Sequence, residues 1–259
     1  MLKITSKDNK LVKATKKLLD DKKYRDLTNT FVAESYRVIN TLIQNKIIIR
    51  NLIVSEESRY FKLAKEYDEK GTNVVILPNS IFNTVSSLAT SDGLIGIFNK
   101  PKNNFNLVDN GRYLVLDKIQ NPGNLGSIIR TAVGFSLNGV VISNDSVDLY
   151  NPTIIRTTMG SCFCIPIKVV TNLTDVINQF RKNGIKVYAT AMSAKAKKLN
   201  EISLSDQSTA ILFGNEGNGL KESILDICDD VINIPINSKI DSLNVAVAVG
   251  IVLYQLCKP

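Results

Sequence analysis

The sequence predicts an α/β protein with two domains, and three observations lead to that prediction. The chain has 259 residues, which is the combined length of two domains of ordinary size. Helical and extended patterns alternate in both halves, as they do where helices pack against a sheet. The polar stretch Lys100–Gly111 between the halves has the composition of a linker. We therefore place domains at residues 1–100 and 112–259, with a linker at 101–111.

The first half is predicted to form a small α/β sandwich. Leu11, Ala14, Leu18 and Leu19 recur at helical spacing, which predicts a helix over residues 8–24. Short β-branched runs predict four strands, at Thr30–Ala33, Ile47–Val54, Asn73–Leu77 and Gly93–Phe98. Periodicity and capping residues predict three further helices, at Ser35–Asn45, at Glu57–Lys70 and after Asn79 or Ser80.

The second half is predicted to form a parallel sheet with helices on both faces. Six strands are predicted, at Tyr113–Asp117, Gly139–Ser143, Ile165–Val170, Ile185–Thr190, Ala210–Phe213 and Val231–Ile234. Five helices separate or follow them, at Leu125–Phe135, Pro152–Met159, Leu173–Lys182, Leu220–Ile227 and Leu243–Leu256. Ligands of such sheets bind beyond the carboxyl ends of the strands, so the loops there are the candidate sites.

Composition excludes several classes of protein. The chain is 44% hydrophobic and 22% charged with a mean hydropathy of +0.03, which is unlike disordered or collagenous chains. No apolar run approaches the ~18 residues that a membrane span requires, and MLKITSKDNK is not a secretory signal. The four cysteines lack the spacing of a disulfide framework or a zinc site: Cys162, Cys164, Cys228 and Cys257. We expect a cytoplasmic protein that binds no membrane.

The chain contains no histidine, and this absence restricts its chemistry. It excludes Ser-His-Asp and Cys-His catalysis, histidine-ligated metals, and imidazole as a general base. Any reaction must rely on carboxylates, arginine, lysine, hydroxyls, amides or a bound cofactor.

Positive charge is concentrated at the start of the chain. The net charge is +8 and the pI is about 9.2, and residues 1–25 alone carry a net charge of +6. Lysines on the polar face of the predicted first helix account for much of it: Lys10, Lys13, Lys16, Lys17 and Lys22. They form either an ordinary solvated helix face or a surface that binds phosphates, and the local concentration favours the second interpretation.

The first candidate loop, Asn121–Ala132, follows the predicted strand at Tyr113–Asp117. We expect Asn124 to cap the next helix, and Gly123 allows another backbone to approach closely. Arg130 is a charged residue in an otherwise apolar stretch of that helix. It either forms an ion pair at the helix edge or belongs to a site.

Two further loops follow strands and are rich in glycine, asparagine or serine. Phe213–Leu220 is a glycine-rich turn that can present backbone N–H groups to a ligand, although it matches neither the Rossmann nor the Walker pattern. Within it, Glu216 could pair with Arg130 or contact a ligand. In the third loop Ser242 or Asn244 opens the last helix, which is also a plausible core helix.

Together the three loops resemble the motifs of the SpoU/TrmH branch of the SPOUT superfamily, which are RNA ribose 2′-O-methyltransferases. The first loop reads N-x-G-N-x-G-x-x-x-R-T-A and the second reads G-N-E-G-x-G-L. The third reads I-P and, after six intervening residues, S-L-N-V-A-x-A. The first hundred residues resemble a ribosomal-protein-like substrate-binding domain, in which Phe31–Arg37 matches F-x-x-E-G-x-R with Ser35 in place of the glycine.

The resemblance implies a deep trefoil knot in the second domain and S-adenosylmethionine as the cofactor. Backbone groups at four positions would hold that cofactor, namely Leu212, Gly214, Ile234 and Leu243. The family's motif-one arginine, matched by Arg130, is often cast as the general base. Because a guanidinium stays protonated in proteins, we expect Arg130 instead to fix the target phosphate and stabilise the alkoxide, while a phosphate oxygen or water takes the proton. Asn124 would position Arg130 or the ribose, and Glu216 would orient the guanidinium. Two residues would line the substrate pocket, Ser242 and Asn244. No metal is implied.

The resemblance also implies partners. Family members are homodimers whose site is completed across the interface, and the helices at 243–256 and after Asn124 would form that interface. RNA would bind the first domain at Lys10, Lys13, Lys16, Lys17 and Arg37. Ribosomal RNA is favoured over transfer RNA because a separate substrate domain suits a large RNA.

Three other functions remain as alternatives. The chain could be a non-catalytic RNA-binding or ribosome-assembly factor that retains the knot. It could be a SPOUT relative that methylates a base nitrogen, although the motifs fit the ribose branch better. A nucleotide-dependent oxidoreductase is disfavoured because the phosphate-binding fingerprint is absent.

Overall fold

The computed structural model describes residues 1–102, 104–193, 196–202 and 208–256, and it divides the chain into two compact units. The first unit comprises Met1–Lys102 and Asp148–Phe163, and the second comprises Asn103–Val147 and Cys164–Pro259. Cys257 lies outside the described residues. Within the described ranges, no helix is both long and apolar enough to cross a membrane.

Strands and helices alternate along most of the chain. The strands are β1 (Leu2–Lys3), β2 (Thr30–Glu34), β3 (Ile49–Ser55), β4 (Val74–Leu77), β5 (Leu94–Asn99), β6 (Arg112–Leu116), β7 (Gly139–Ser143), β8 (Ile167–Val170), β9 (Lys186–Thr190), β10 (Lys197–Lys198), β11 (Thr209–Phe213) and β12 (Asp230–Asn233). The α-helices are α1 (Lys10–Asp20), α2 (Lys22–Thr28), α3 (Tyr36–Gln44), α4 (Phe61–Glu69), α5 (Asn79–Val85), α6 (Pro122–Gly134), α7 (Pro152–Thr157), α8 (Leu173–Lys182), α9 (Glu222–Leu225) and α10 (Val245–Leu256).

The first unit is built on a mixed five-stranded sheet with the order β1-β4-β3-β5-β2. Strands β1, β4 and β3 run parallel, whereas β5 is antiparallel to both β3 and β2. The predicted strands are all present, and the structure adds β1, whose two exposed residues are too few to produce a sequence pattern. An apolar core between the sheet and its helices includes Val32, Ile53, Phe82 and Ile95.

The predicted helix over residues 8–24 is in fact two helices. The chain is extended at Asp21, with φ −116° and ψ 111°, so α1 ends there. The Asp21 carboxylate then accepts hydrogen bonds from the backbone N–H groups of Lys23 (2.8 Å) and Tyr24 (3.3 Å), which caps α2. Val12 and Thr15 are buried on α1 in place of Leu11 and Ala14, which are only half-buried.

The second unit contains a seven-stranded sheet with the order β10-β12-β9-β11-β6-β7-β8, in which every pair is parallel. The predicted α/β class with a parallel sheet is therefore confirmed. Its central strands are buried on both faces, and Tyr113 stacks on Phe180 of α8 with ring centroids 5.2 Å apart. Helices α6 and α10 pack against each other. This arrangement is consistent with the knot that the resemblance implies.

Helix α6 begins earlier than the sequence predicts. Asn121, not Asn124, is its N-cap, and its side chain accepts from the N–H groups of Gly123 (2.8 Å) and Asn124 (3.1 Å). Pro122 occupies the first helical position, where its missing N–H costs nothing. The expectation that Asn124 caps the helix was wrong, and its side chain is free for other contacts.

Segment 148–163 was predicted to belong to the second domain, but it packs with the first unit. The Asp148 carboxylate forms a buried ion pair with Arg25, with an N–O distance of 2.8 Å. The ring of Phe31 lies 5.4 Å from that of Tyr150 and 5.1 Å from that of Phe163. Burial, followed by the nearby Cys162 and acidic residues, raises the pKa of Tyr150 to about 12. These contacts join residues far apart in sequence, so no local pattern predicts them.

Candidate cofactor site and active site in the second unit

Three loops at the carboxyl ends of parallel strands form the candidate site. They are the segment from β6 to α6, the segment from β11 to α9 and the segment from β12 to α10. Strand β11 lies beside β6, so the first two loops emerge next to each other at one edge of the sheet. A hydrogen bond between the side chains of Asn244 and Asn124 joins the third loop to the first. The prediction that these loops meet is thus supported by their geometry.

A chain of side-chain hydrogen bonds joins the three loops. Asn244 donates through Nδ2 to Oδ1 of Asn124 at 3.1 Å, and Asn124 donates through its own Nδ2 to Oε1 of Glu216, also at 3.1 Å. The backbone N–H groups of Gln120 and Asn121 donate to the same carboxylate at 3.4 Å. One predicted residue from each motif therefore takes part in a single network.

The Glu216 carboxylate is held in its ionised form. Partial burial acts to raise its pKa, but the hydrogen bonds from Asn124 and from backbone N–H groups outweigh burial and lower the pKa below its ordinary value. The carboxylate is therefore charged at neutral pH and acts as an acceptor. Its partners are amides, and the predicted pairing of Glu216 with Arg130 is not observed among the described residues.

Asn215 shapes the glycine-rich loop, although the sequence did not predict it as a site residue. Its Nδ2 donates to the Lys118 carbonyl at 2.8 Å, which ties the second loop to the first. Its Oδ1 accepts from the N–H groups of Gly217 (2.9 Å) and Asn218 (3.2 Å) in a tight Asx turn. An asparagine two residues after a strand and directly before Glu-Gly is the sequence signal that would have identified this turn.

A cavity of about 580 Å³ lies among residues 190–193, 213–220 and 232–248. Three of the predicted cofactor-binding residues line it: Gly214, Ile234 and Leu243. The fourth, Leu212, is buried within β11, and its carbonyl accepts a hydrogen bond from the Thr190 hydroxyl at 2.8 Å. Leu212 therefore supports the wall and is not part of the cavity lining.

The cavity suits a nucleoside-sized ligand such as S-adenosylmethionine. Its volume lies within the ~300–1,000 Å³ typical of small-molecule sites. A Cβ atom on Gly214 would lie 2.5 Å from both the Gly219 carbonyl oxygen and the Leu220 nitrogen, so only glycine permits this close approach of two backbone segments. Oδ1 of Asn233, a lining residue, is buried and has no partner within the described ranges. An N–H or O–H group of a bound ligand would supply the hydrogen bond that this oxygen lacks.

A shallower depression adjoins the cavity and is lined by the network residues. Asn124, Glu216 and Asn244 line it together with Ser242, which is exposed. The structure therefore brings four of the five predicted catalytic residues together. Arg130, the fifth, is exposed on α6 and lines neither the depression nor the cavity. Across the described ranges, no cluster of three potential metal ligands occurs.

The predicted RNA-binding residues all lie in the first unit, on its surface. Lys10, Lys13, Lys16 and Lys17 are exposed on α1, as the helical spacing predicts. Arg37 is exposed on the first turn of α3. Ser35 precedes that turn with φ 79° and ψ 144°, a conformation that favours glycine, which agrees with the glycine expected there.

Comparison with known proteins identifies two matching families. Residues 111–254 match the model of the SpoU rRNA Methylase family, and residues 9–96 match the MRM3-like substrate binding domain. A Bacillus subtilis protein named 23S rRNA (guanosine(2553)-2′-O)-methyltransferase RlmP is 33% identical over 99% of both chains. A Xanthomonas campestris protein named 23S rRNA (guanosine-2′-O-)-methyltransferase RlmB is 35% identical over 55% of this chain and 56% of its own.

Solved structures agree with this result. An rRNA methyltransferase from Sinorhizobium meliloti has a TM-score of 0.86 and 30% identity, covering 98% of this chain and 96% of its own. A structure of AdoMet-bound rRNA methyltransferase from the same organism has a TM-score of 0.87 and 29% identity, with the same coverage. The family model alone spans more than half of the chain. This protein therefore belongs to the SpoU rRNA methylase family.

Proposed function

We propose that this protein transfers a methyl group from S-adenosylmethionine to a ribose 2′-hydroxyl of ribosomal RNA. The observation that carries the proposal is the Asn244–Asn124–Glu216 network beside the cavity, because it unites the three loops in which the resemblance places cofactor and substrate. The names of the relatives favour a guanosine of 23S rRNA as the target. Transfer RNA is the alternative substrate.

The chain would hold the cofactor in the cavity and align the ribose beside it. When bound, S-adenosylmethionine supplies a methyl group already activated by its sulfonium. Gly214, Ile234 and Leu243 line the cavity, and their backbone groups would hold the cofactor there. The protein's remaining tasks are to orient the hydroxyl and to stabilise the negative charge that develops on its oxygen.

We assign the stabilisation of that oxygen to Arg130. A guanidinium stays protonated in proteins, so Arg130 can fix a target phosphate and stabilise an alkoxide but cannot accept the proton. A phosphate oxygen or a water molecule is the acceptor in this proposal. Asn124, held between Glu216 and Asn244, would orient the ribose and is a positioning residue.

Within its own subunit, Arg130 lies outside the cavity and the depression. In a homodimer, Arg130 of one subunit would enter the active site of the other subunit. Three apolar side chains lie along one face of α10 and remain exposed: Val247 at 52%, Ile251 at 38% and Tyr254 at 67%. Their spacing of four and three residues places them in one stripe. Such a stripe is typical of a surface that a second copy covers.

Arg130→Ala tests the assignment of the arginine. We expect methyl transfer to 23S rRNA to fall by about 100- to 1,000-fold, because an electrostatic stabiliser of the transition state is removed. Affinity for S-adenosylmethionine, measured by calorimetry, should stay within about two-fold, because Arg130 is assigned to the transition state and not to binding of the cofactor. Lys182→Ala, at the exposed end of α8, is the control. Methyl transfer at the wild-type rate by Arg130→Ala would refute the assignment.

Mixing two inactive variants tests whether the site is shared between subunits. In a heterodimer of Arg130→Ala and Asn244→Ala, one of the two sites regains both residues if Arg130 acts in the partner's site. An equimolar mixture should then recover about a quarter of wild-type activity. A mixture that stays inactive, although co-purification of differently tagged subunits shows heterodimers, would place Arg130 in its own subunit's site.

A further inference from the structure

Two tyrosines on the first unit form a stack that the proposed methyl transfer does not use. Tyr36 is the first residue of α3, and Tyr60 directly precedes α4. Their ring centroids are 4.5 Å apart and their planes differ by 20°. Both residues are only half-buried. Aromatic rings of this size are usually buried in a core, so a partly solvated pair requires a reason.

Each tyrosine of this pair has an arginine as its neighbour in the sequence. The guanidinium carbon of Arg59 lies 4.9 Å from the centroid of the Tyr60 ring. Arg37 follows Tyr36 in the chain and is exposed, as is Arg59. Within the part of the chain that the structure describes, the arginines in ion pairs are Arg25 and Arg181, so neither flanking charge is neutralised by a carboxylate.

A hydrogen-bonded brace links the backbones of the two tyrosines. The N–H of Tyr36 donates to Oδ2 of Asp92 at 2.7 Å, and the Ser58 hydroxyl donates to the Asp92 carbonyl at 2.7 Å. The N–H of Tyr60 in turn donates to the Ser58 hydroxyl at 3.2 Å. A Cβ atom on Gly93 would lie 2.6 Å from Cβ of Ser58, so the brace is tightly packed. The backbone that carries the two rings is therefore held in place without a ligand.

We propose that Tyr36, Tyr60 and Arg59 form a binding site for an unpaired base of the RNA substrate. Unpaired RNA bases stack on aromatic side chains and on arginine planes, and the adjacent phosphates bind free guanidinium groups such as that of Arg37. All four residues lie within the segment that matches a substrate-binding domain. The inference rests on the proposed function, because it takes RNA as the substrate.

Tyr60→Ala and Tyr60→Phe distinguish stacking from a general structural role. The probe is a single-stranded oligoribonucleotide of about 12 nucleotides that carries 2-aminopurine, titrated with the full-length protein. We expect Tyr60→Ala to weaken binding about ten-fold with an unchanged salt slope, because stacking involves no charge. Tyr60→Phe should bind like the wild type, since the ring remains. The fluorescence of 2-aminopurine should be quenched by the wild type and by Tyr60→Phe only.

Arg59→Ala tests the charge and cannot disturb the core, because Arg59 is exposed. It should weaken binding and reduce the salt slope by about one, whereas Lys62→Ala, an exposed cation close by on α4, should do less. In methyl transfer to 23S rRNA, Tyr60→Ala should raise KM and leave kcat unchanged. A purely structural role predicts that melting temperature falls while RNA affinity is retained.

The results separate this inference from the proposed function. If Tyr60→Ala remains folded by circular dichroism and binds the probe and 23S rRNA as the wild type does, the stacking site is refuted while methyl transfer stands. If the wild type neither binds nor methylates RNA, the proposed function fails, and the stacking site fails with it.

Discussion

Replacing Gly214 with alanine tests how closely the glycine-rich loop must approach strand β11. The added Cβ would lie 2.5 Å from the Gly219 carbonyl oxygen and from the Leu220 nitrogen, whereas ordinary contacts begin at 3.4 Å. Both neighbours are backbone atoms, so no side-chain rotation relieves the overlap. The nearest atom, the Gly219 carbonyl carbon, would lie 2.2 Å from the added Cβ, so the backbone must move by about 1.2 Å, and overpacking of this kind costs roughly 1–3 kcal/mol.

That displacement changes the wall of the cavity. Gly214, Gly219 and Leu220 all line it, so a cofactor that requires the native loop must overcome the strain when it binds. A cost of 1–3 kcal/mol corresponds to about 5- to 150-fold in affinity. We therefore expect calorimetry to show weaker binding of S-adenosylmethionine to Gly214→Ala by one to two orders of magnitude. The loss of methyl transfer at low cofactor concentration should follow the loss of affinity.

Gly217→Ala is the matched control in the same loop. Its added Cβ would have Asn215 Oδ1 at 3.4 Å as its nearest neighbour, which is an ordinary contact. Gly219 is unsuitable as a control because its φ of 65° already disfavours alanine. Gly217→Ala should bind the cofactor within about two-fold of the wild type. Equal affinities of Gly214→Ala and Gly217→Ala, with melting temperatures confirming that both fold, would refute the reasoning.

Two further predictions concern the first unit. Replacing Lys10, Lys13, Lys16 and Lys17 with glutamine should weaken binding to 23S rRNA. The slope of log affinity against log salt concentration should fall by up to about three. An unchanged slope would show that α1 is an ordinary solvated surface. Arg25→Met should lower the free energy of unfolding by about 3–5 kcal/mol in denaturant titrations. The reason is that Arg25 is 3% exposed and its loss leaves the half-buried Asp148 carboxylate without its counter-ion and two backbone carbonyls without their donor. The exposed Lys22–Asp26 pair is the comparison, and Lys22→Met should cost less than about 1 kcal/mol.

The sequence predicted most elements of the fold because their signals are local. Alternating periodicity gave the order of strands and helices, and β-branched runs marked the buried strands of the parallel sheet. The errors occur where competing local signals have similar strength. In α6, both Asn121 and Asn124 are suitable caps, and the proline at position 122 decides for Asn121. At residue 21, an aspartate serves better as the cap of a new helix than as part of a continuous one.

The candidate site was partly predictable for a different reason. The motif residues were identified from their order along the chain, and Asn124, Glu216, Ser242 and Asn244 do line one depression. Their pairing could not be derived from spacing, and Glu216 contacts Asn124 where Arg130 was expected. The residues at 124 and 216 are distant in sequence, and only the parallel pairing of β6 with β11 brings their loops together.

By itself the sequence determined the α/β class, the two-part organisation, the family and the three loops that matter, since periodicity, caps and motifs are properties of neighbouring residues. Only the tertiary structure decided that residues 148–163 pack with the first unit, that Leu212 stands behind the cavity wall, and that Tyr36 meets Tyr60. Each of these depends on packing and hydrogen bonds between segments distant along the chain. Such contacts are chosen by the free energy of the whole fold and leave no local pattern to detect.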